Sequence, residues 1–199
     1  MDRDLLGAPP APERADAARN RRKVLAAAEK LFTTRGVAAV SMDDVAAAAG
    51  VGKGTLYRRF GDKSGLASAL LGEREAQLQQ KLLAGPPPLG PGAEPVDRLA
   101  AFVEAYVGFV VMHLDLVAMS QTASPGARLR VGAHRLWVRH CHMLLADAGA
   151  PDPDVRADVL LAALAAEQVG HWTRTEQRST AALRESLVRL ARTLASSAG

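Results

Sequence analysis

This sequence of 199 residues has little of three things: cysteine, aromatic side chains and long apolar runs. Its one cysteine, Cys141, excludes an internal disulfide and is typical of a reducing compartment. Aromatic residues are 4% of the chain and hydrophobic residues 48%, so a core would be built mainly from Ala, Leu and Val. No apolar run approaches the roughly 20 residues of a membrane span, and the N-terminal stretch MDRDLLGAPPAPER lacks a signal-peptide core. We expect a cytoplasmic protein with no membrane partner.

Strand patterns are missing as well. The segments between Gly- and Pro-containing turns repeat their apolar residues with helical period, which predicts an all-α fold. Residues 1–18 are rich in Pro, Ala and charge and are predicted to form a disordered arm. A first amphipathic helix is expected from Arg21 to Arg35, ending at Gly36. The stretch GPPPLGPGAEP marks a border, because a helix cannot persist through it. The predicted divisions are a domain at 19–66, a linking helix at 67–84 and a second domain at 85–199.

The chain is organised around the stretch from Ser41 to Lys63, which reads SMDDVAAAAGVGKGTLYRRFGDK. Ser41 is a good N-cap, although Asp44 stands where a capping box usually has Glu or Gln, so the box is expected to be imperfect. Gly50 is a natural left-handed stop, and a second short helix is expected from Lys53 to Phe60. Helix, short glycine-containing turn and helix is the helix-turn-helix plan, whose second helix enters the DNA major groove.

Positive charge is concentrated in this part of the chain. Residues 19–63 hold 10 Lys and Arg against 4 Asp and Glu, whereas residues 85–199 hold 11 of each. A local excess of this kind is what phosphate neutralisation requires. A solvated basic helix end is the simpler alternative, and composition alone does not decide between them.

The same stretch contains the segment GVGKGT, which resembles a glycine-rich phosphate-binding loop. A nucleotide P-loop needs Gly-Lys followed directly by Ser or Thr, and here Gly54 intervenes. A dinucleotide fingerprint needs its third glycine one residue later, and both motifs need an upstream strand where this sequence is helical. The motif therefore does not predict nucleotide binding.

Residues 41–66 closely resemble the DNA-binding signature of TetR-type repressors. The matching residues are the segments AGV and KGTLY together with Phe60, Lys63 and Leu66, and the resemblance is specific across residues 20–70. It implies an N-terminal three-helix DNA-binding domain and a C-terminal helical bundle that holds a small-molecule effector and forms a homodimer. Two departures predict weaker capping and a different sequence preference. Gly52 stands where the family usually has a capping Ser or Thr, and Arg59 where His is common.

The residues predicted to contact a palindromic DNA operator lie on or beside the second helix: Ser41, Lys53, Gly54, Thr55, Tyr57, Arg58, Arg59 and Lys63. Lys63 and the Ser41 hydroxyl are expected to touch phosphate, and the tyrosine to touch phosphate or base. Thr55, Arg58 and Arg59 are candidates for base edges, with arginine favouring guanine. The glycine leaves room for a phosphate to approach the backbone.

Five helices are predicted beyond the border: Pro95 to His113, Leu114 to Gln121, Pro125 to Ala148, Pro153 to Thr175 and Ser179 to Ala195. Ser124-Pro125 and Asp152-Pro153 each suit a cap followed by proline at the first helical position. All five histidines and both tryptophans lie in residues 113–172. This clustering raises the alternative of an all-helical enzyme or metal-binding protein.

Helical geometry argues against a local metal site. His140, Cys141 and His142 are consecutive, so their side chains diverge by about 100° and cannot converge on one ion. No histidine pair has the i, i+4 spacing that binds zinc. A site whose ligands come from different helices stays open as an alternative. No Gly-x-Ser-x-Gly elbow or Cys-His set at a recognisable spacing is present. We predict no metal, no cofactor and no catalytic residue.

The resemblance implies that the second half binds a largely apolar ligand. Met and aromatic side chains at helical spacing are more often plain core, so this prediction depends on the family and not on the spacing. The predicted lining is aromatic with polar histidine tips: Phe102, Tyr106, Phe109, His113, His134, Trp137 and Trp172.

A symmetric homodimer is predicted from the last two helices. The final helix has a leucine stripe at helical spacing, and the helix before it has small residues that allow close approach. The predicted interface consists of Ala162, Ala166, Gly170, Leu183, Leu187, Leu190 and Leu194. A homodimer would present two recognition helices to the two halves of a palindrome.

Overall fold

The computed structural model describes residues 12–122 and 132–196, and within these ranges all regular secondary structure is helical. The elements in chain order are α1 (Pro12–Arg35), α2 (Met42–Ala49), α3 (Lys53–Phe60), α4 (Lys63–Ala84), α5 (Pro95–Met112), α6 (Leu114–Thr122), α7 (Gly132–Asp147), α8 (Pro153–Ala163), α9 (Ala166–Gly170), a π-helical turn (His171–Thr175) and α10 (Thr180–Ala195). The all-α prediction is confirmed. The predicted start at Ser124-Pro125 lies outside the described residues.

The chain forms two compact units, residues 1–70 and 71–199. The division falls inside α4, upstream of the segment 85–95 that we predicted as the border. The helix runs unbroken across this division, because its sequence contains no proline before the stretch that follows Ala84.

In the first unit, α1 packs against α2 and α2 packs against α3. The apolar stripe of α1 is buried, and Ala28 is fully inaccessible. Leu56 and Phe60 lie four residues apart on α3 and are both buried, as the spacing predicted. The Arg21 guanidinium lies 5.8 Å from the centre of the Phe60 ring, a cation–π contact that ties the start of α1 to the end of α3.

In the second unit, α5 is the central helix and packs against α7 and α10, while α7 packs against α8. Phe102, Val103 and Val107 of α5 are completely buried. The surrounding core is dominated by Leu, Val and Ala, as the low aromatic content predicted. Its largest enclosed side chain is Trp137 on α7, which is 1% exposed.

The helix starts and stops of the first unit follow local rules, with one correction. Gly36 and Gly50 have φ of 78° and 65° and end α1 and α2 in the left-handed conformation that glycine tolerates. α1 begins at Pro12, so residues 12–18 of the predicted arm are helical, while residues 1–11 lie outside the described residues. Proline is compatible with a first helical turn, and the Ala- and Arg-containing sequence that follows favours helix.

The predicted helix from Pro153 to Thr175 is broken, which corrects the sequence-based assignment. α8 ends at Ala163, Ala165 is extended, and the chain continues as α9 and the π-helical turn. The side chain of Gln121 on α6 accepts a hydrogen bond of 3.0 Å from the Ala166 amide, which the break would otherwise leave without a partner. Asp152 also differs from its predicted role: its φ is 48° and its side chain makes no capping hydrogen bond.

Among the described residues, no single helix is long and apolar enough to cross a membrane. α5 and α6 together pass the length and composition test but are bent by 92° at their junction.

Candidate nucleic-acid interface and ligand cavity

The start of α2 is fixed by a complete capping box, where we had predicted an imperfect one. The Asp44 amide donates to the Ser41 hydroxyl at 3.1 Å, and the Ser41 amide donates to the Asp44 carboxylate at 2.9 Å. Aspartate is therefore long enough to close the box in place of Glu or Gln. The bond from the Ser41 amide is the main cause that lowers the pKa of Asp44.

Beyond the turn at Gly50, α3 exposes one continuous polar face. Leu56 and Phe60 point inward, while the predicted DNA-contacting residues of this helix are all exposed: Lys53, Gly54, Thr55, Tyr57, Arg58 and Arg59. Tyr57 is 47% exposed although it is a large aromatic residue. The helix therefore presents two arginines, a hydroxyl and a phenol to solvent on a short, internally anchored element.

The N-terminus of α3 is weakly capped, as the departure at Gly52 predicted. Gly52 is the N-cap and supplies no side-chain hydrogen bond. The Lys53 ammonium instead pairs with the Asp43 carboxylate of α2 at 2.5 Å. Both groups are more than half exposed, so the pair contributes little to stability. Its hydrogen bond raises the pKa of Lys53, which keeps a positive charge at this end of the helix.

Lys63 occupies a different environment from the other predicted DNA contacts. Its ammonium donates to the carbonyl oxygens of Val37, Ala38 and Val40 at 3.0, 3.2 and 3.1 Å. An ammonium has three protons, so all of them are used within the protein. This geometry gives Lys63 a structural role, because it joins α4 to the loop before α2. The predicted phosphate contact would have to compete with these three hydrogen bonds.

We expect Lys63→Met to lower the free energy of unfolding by about 1–3 kcal/mol, because three carbonyl groups lose a charged donor. Lys53→Met is the matched control and should change stability little, since Lys53 is exposed. Urea denaturation of the full chain measures both variants. The salt dependence of DNA binding should be unchanged in Lys63→Met. Unchanged stability together with a salt slope reduced by about one would instead assign Lys63 to a phosphate.

The second unit contains a small cavity next to Trp137. Its lining includes Tyr106, His134 and Trp137 from the predicted set, together with residues that the sequence had not indicated: Glu75, Val117, Ser120 and Gln121. The cavity volume is about 20 Å³, which is room for about one water molecule. A larger ligand would therefore have to displace the lining side chains.

The other predicted lining residues lie around this cavity or away from it. The Phe102 ring is stacked on Tyr106 at 5.5 Å and lies 5.9 Å from Trp137, so it forms the layer behind the wall. The centre of the Tyr106 ring lies 6.0 Å from that of Phe109, and the centre of the Phe109 ring lies 5.2 Å from that of His113. Trp172 lies apart, on the π-helical turn, where the Arg178 guanidinium covers its ring at 5.9 Å.

The histidines and cysteine of α7 are separated as helical geometry predicted. His140 packs against Phe102 at 5.3 Å, and burial, together with the charge of Arg98, lowers the pKa of His140 to about 4. Cys141 is fully buried, and burial raises the pKa of its thiol. His142 is paired with Asp154 at 3.5 Å. Within the described ranges, no group of three or more His, Cys, Asp or Glu side chains is placed to hold a metal ion.

Three of the predicted dimer residues are buried inside the single subunit, and Gly170 lies beside Leu114 of the same chain. Leu183 and Leu187 are 5% and 4% exposed and pack into the core of their own chain, where α10 lies against α5. Ala166 is buried, and a side chain at Gly170 would meet Leu114 at 3.6 Å. Helical period shows an apolar stripe but not what covers it. Here α5 covers the buried part of the α10 stripe, and α6 packs against α9.

Exposed apolar side chains lie on α8 and on α10, and we call them together the α8/α10 face. Val155 and Val159 are 62% and 53% exposed, and Ala162, on the same side of α8, is also exposed. Leu190 of α10 is 36% exposed, and Leu194 is half-buried. Arg156 donates to the Leu194 carbonyl at 2.5 Å, which holds the start of α8 beside the end of α10.

Two short helices joined at a glycine turn, with a basic exposed second helix, define a helix-turn-helix protein. Residues 24–70 match the family described as bacterial regulatory proteins, tetR family. The match covers residues 24–70 alone, and it identifies that segment as a domain of this family. Its members are transcriptional regulators and not enzymes.

Known proteins resemble the chain over different lengths. An uncharacterized HTH-type transcriptional regulator of Mycobacterium tuberculosis is 30% identical over 103 residues, which are 52% of this chain and 50% of that protein. The chain thus matches about half the length of this relative. A TetR/AcrR-family regulator from Thermobifida fusca superimposes with a TM-score of 0.66 at 23% identity, covering 87% of this chain and 97% of that one. A regulator from Saccharomonospora viridis, solved with choline, gives 0.65 at 22% identity and covers 85% and 94%. These two structures show that the fold is shared.

Proposed function

We propose that this protein is a cytoplasmic DNA-binding transcriptional repressor that is released from a palindromic operator by a small molecule. The observation that carries the proposal is the exposed face of α3. Leu56 and Phe60 hold the helix in place from one side, and Arg58, Arg59 and Tyr57 stand free to reach a groove on the other. Rigid presentation of donors on a helix is what base readout in the major groove requires.

The operator would be read by two copies of the chain. One helix of this length reaches only a few base pairs, so specificity calls for a second recognition helix. The α8/α10 face offers a surface for this purpose, because two copies packed through it would form a four-helix bundle about a two-fold axis. Val159 lies centrally on α8 within this apolar stripe. Two recognition helices about 34–36 Å apart would enter successive major grooves.

Ligand control would start at the cavity beside Trp137. Gln121 lines the cavity and also accepts the hydrogen bond of the Ala166 amide at the break between α8 and α9. A ligand that moves Gln121 would therefore disturb the break at which α8, the helix that carries Val155 and Val159, ends. Such a ligand lowers operator affinity only by the difference in its affinity for the two conformations. The choline complex of the Saccharomonospora viridis regulator supports a small-molecule effector in this fold.

Selection of bound duplexes from a random DNA pool, followed by binding measurements on the selected sequence, tests the proposal. Arg58→Ala or Arg59→Ala should cost about 1–3 kcal/mol at one base position, because a guanidinium contact to a base edge is lost. Lys53→Ala should weaken all duplexes alike and reduce the salt slope by about one.

Arg139→Ala is the matched control, since Arg139 is an exposed arginine on α7 in the other unit. It should leave both affinity and sequence preference unchanged. Failure to enrich any duplex, or unchanged binding in all three α3 variants, would reject the proposal.

A further inference from the structure

Glu75 is an unusual member of the cavity wall. It lies on α4, and its carboxylate lines the same small cavity as Tyr106 and Trp137. Within the described part of the chain, no hydrogen bond or ion pair to Glu75 is present. Glu75 is half-buried, and a carboxylate withdrawn from water normally has a partner, because an uncompensated charge in an apolar site is costly.

The electrostatics of the site agree with this geometry. Burial alone raises the pKa of Glu75 to about 7, and no neighbouring cation contributes in the opposite direction. The Glu75 carboxylate therefore lines the cavity without a cation among the described residues that favours its charged form.

The rest of the wall suits the body of an organic cation. The rings of Tyr106 and Trp137 border the cavity and lie 5.7 Å apart, tilted by 60° to each other. Aromatic rings attract cations through their electron-rich faces, and this attraction strengthens where water is excluded. Val117 adds an apolar contact, and Ser120 adds a hydroxyl. An anionic ligand would meet the Glu75 carboxylate directly and be repelled.

We propose that the effector is an apolar organic cation, an amine or quaternary ammonium, whose charge is placed against Glu75 and whose body lies against Trp137 and Tyr106. This inference rests on the proposed ligand-controlled function and specifies its ligand class. The cavity of about 20 Å³ must open to admit such a molecule. Opening displaces the wall, which includes Gln121 and through it the Ala166 amide.

A matched pair of probes tests the charge separately from the shape. Phenyltrimethylammonium and its uncharged isostere tert-butylbenzene have nearly the same outline. Binding is followed by tryptophan fluorescence of the full chain, because Trp137 lines the site. The cation should bind about 10-fold or more tightly than the isostere, the difference expected for one interaction with a charged group.

Glu75→Gln preserves the outline of the side chain and removes its charge. It should weaken cation binding by about 10- to 100-fold and leave the isostere unaffected. Glu73→Gln is the control on the same helix, because Glu73 is exposed and should keep the preference for the cation. Circular dichroism confirms that each variant is folded, and the cation-to-isostere ratio in the unmodified chain tests the proposal without any variant.

The outcomes separate this inference from the proposed function. Equal or tighter binding of the isostere, no binding of the cation at millimolar concentration, or an unchanged preference in Glu75→Gln would overturn the cation assignment. Each of those results leaves operator binding intact, since DNA selection is measured without ligand. Loss of operator binding on adding the cation, absent in Glu75→Gln, would support both.

Discussion

Replacing Gly65 by alanine should unfold or severely loosen the DNA-binding unit. Gly65 lies in the first turn of α4, where a Cβ atom would stand 1.9 Å from the Phe60 carbonyl oxygen and 3.1 Å from its carbon. Backbone atoms cannot yield as a flexible side chain can, so α4 or the end of α3 must move. Phe60 is the inward anchor of the recognition helix, and the Gly65 amide also donates to Asp62 at 2.8 Å. We expect a loss of about 3 kcal/mol in unfolding free energy, a large part of the 5–15 kcal/mol typical of a domain.

Gly72→Ala is the matched control, because Gly72 lies on the same helix with no atom within 4 Å of its Cβ position. It should stabilise the chain by about 0.5–1 kcal/mol through the lower conformational entropy of alanine. Urea denaturation and DNA binding of both variants give the comparison. Wild-type stability and operator affinity in Gly65→Ala would show that the corner between α3 and α4 has room for a Cβ atom beside the Phe60 carbonyl.

Local sequence rules predicted the DNA-binding unit because its determinants lie close together in the chain. Ser41 and Gly50 start and stop α2 through contacts within a few residues, and Lys53 to Phe60 is the observed extent of α3. The hydrogen bonds of Lys63, in contrast, could not be predicted from the local sequence. This residue carries a charge and stands next to a basic helix, so the sequence pointed to phosphate. Its three carbonyl acceptors lie more than 20 residues upstream and are visible only in the fold.

The second unit was predicted less completely, because its features depend on contacts between distant segments. The break after Ala163 is accompanied by a hydrogen bond from the Ala166 amide to Gln121, 45 residues earlier, and no local pattern indicates it. Glu75 stands in a polar stretch of a linking helix and has the appearance of a solvated residue in sequence. Its partial burial follows from the side chains of α5, α6 and α7 around it.

The predicted dimer surface shows the same limit of local sequence patterns. Helical period correctly identified an apolar stripe on α10, but a stripe can be covered by the same chain or by another copy. Leu183 and Leu187 are covered by the core that includes α5. The surface that we propose for the partner is the α8/α10 face, where Val155 and Val159 lie on the outer side of α8 while Leu160 and Leu161 face inward.

Val159→Glu should therefore convert the proposed dimer into a monomer of 21.0 kDa. Val159 is 53% exposed in the single chain, so the substitution leaves the subunit folded. In a two-fold interface each substitution occurs twice, and both carboxylates would be buried without a partner charge. Because the two recognition helices then bind DNA independently, affinity for the palindrome should fall by about 100-fold or more, while affinity for a half-site changes little. Sedimentation at micromolar concentration and DNA titration measure the two effects.

Met112→Glu is the control for placing a carboxylate on an exposed apolar residue. Met112 ends α5, is 77% exposed and lies outside the α8/α10 face, so this variant should stay dimeric. Leu187→Glu is unsuitable for the purpose, because a charge at a side chain only 4% exposed would disrupt the subunit itself. A dimer that persists in Val159→Glu, and also when Val155→Glu is added, would exclude the α8/α10 face as the interface. Palindrome binding at full strength by a proven monomer would go further, because it would show that one recognition helix is sufficient for the operator.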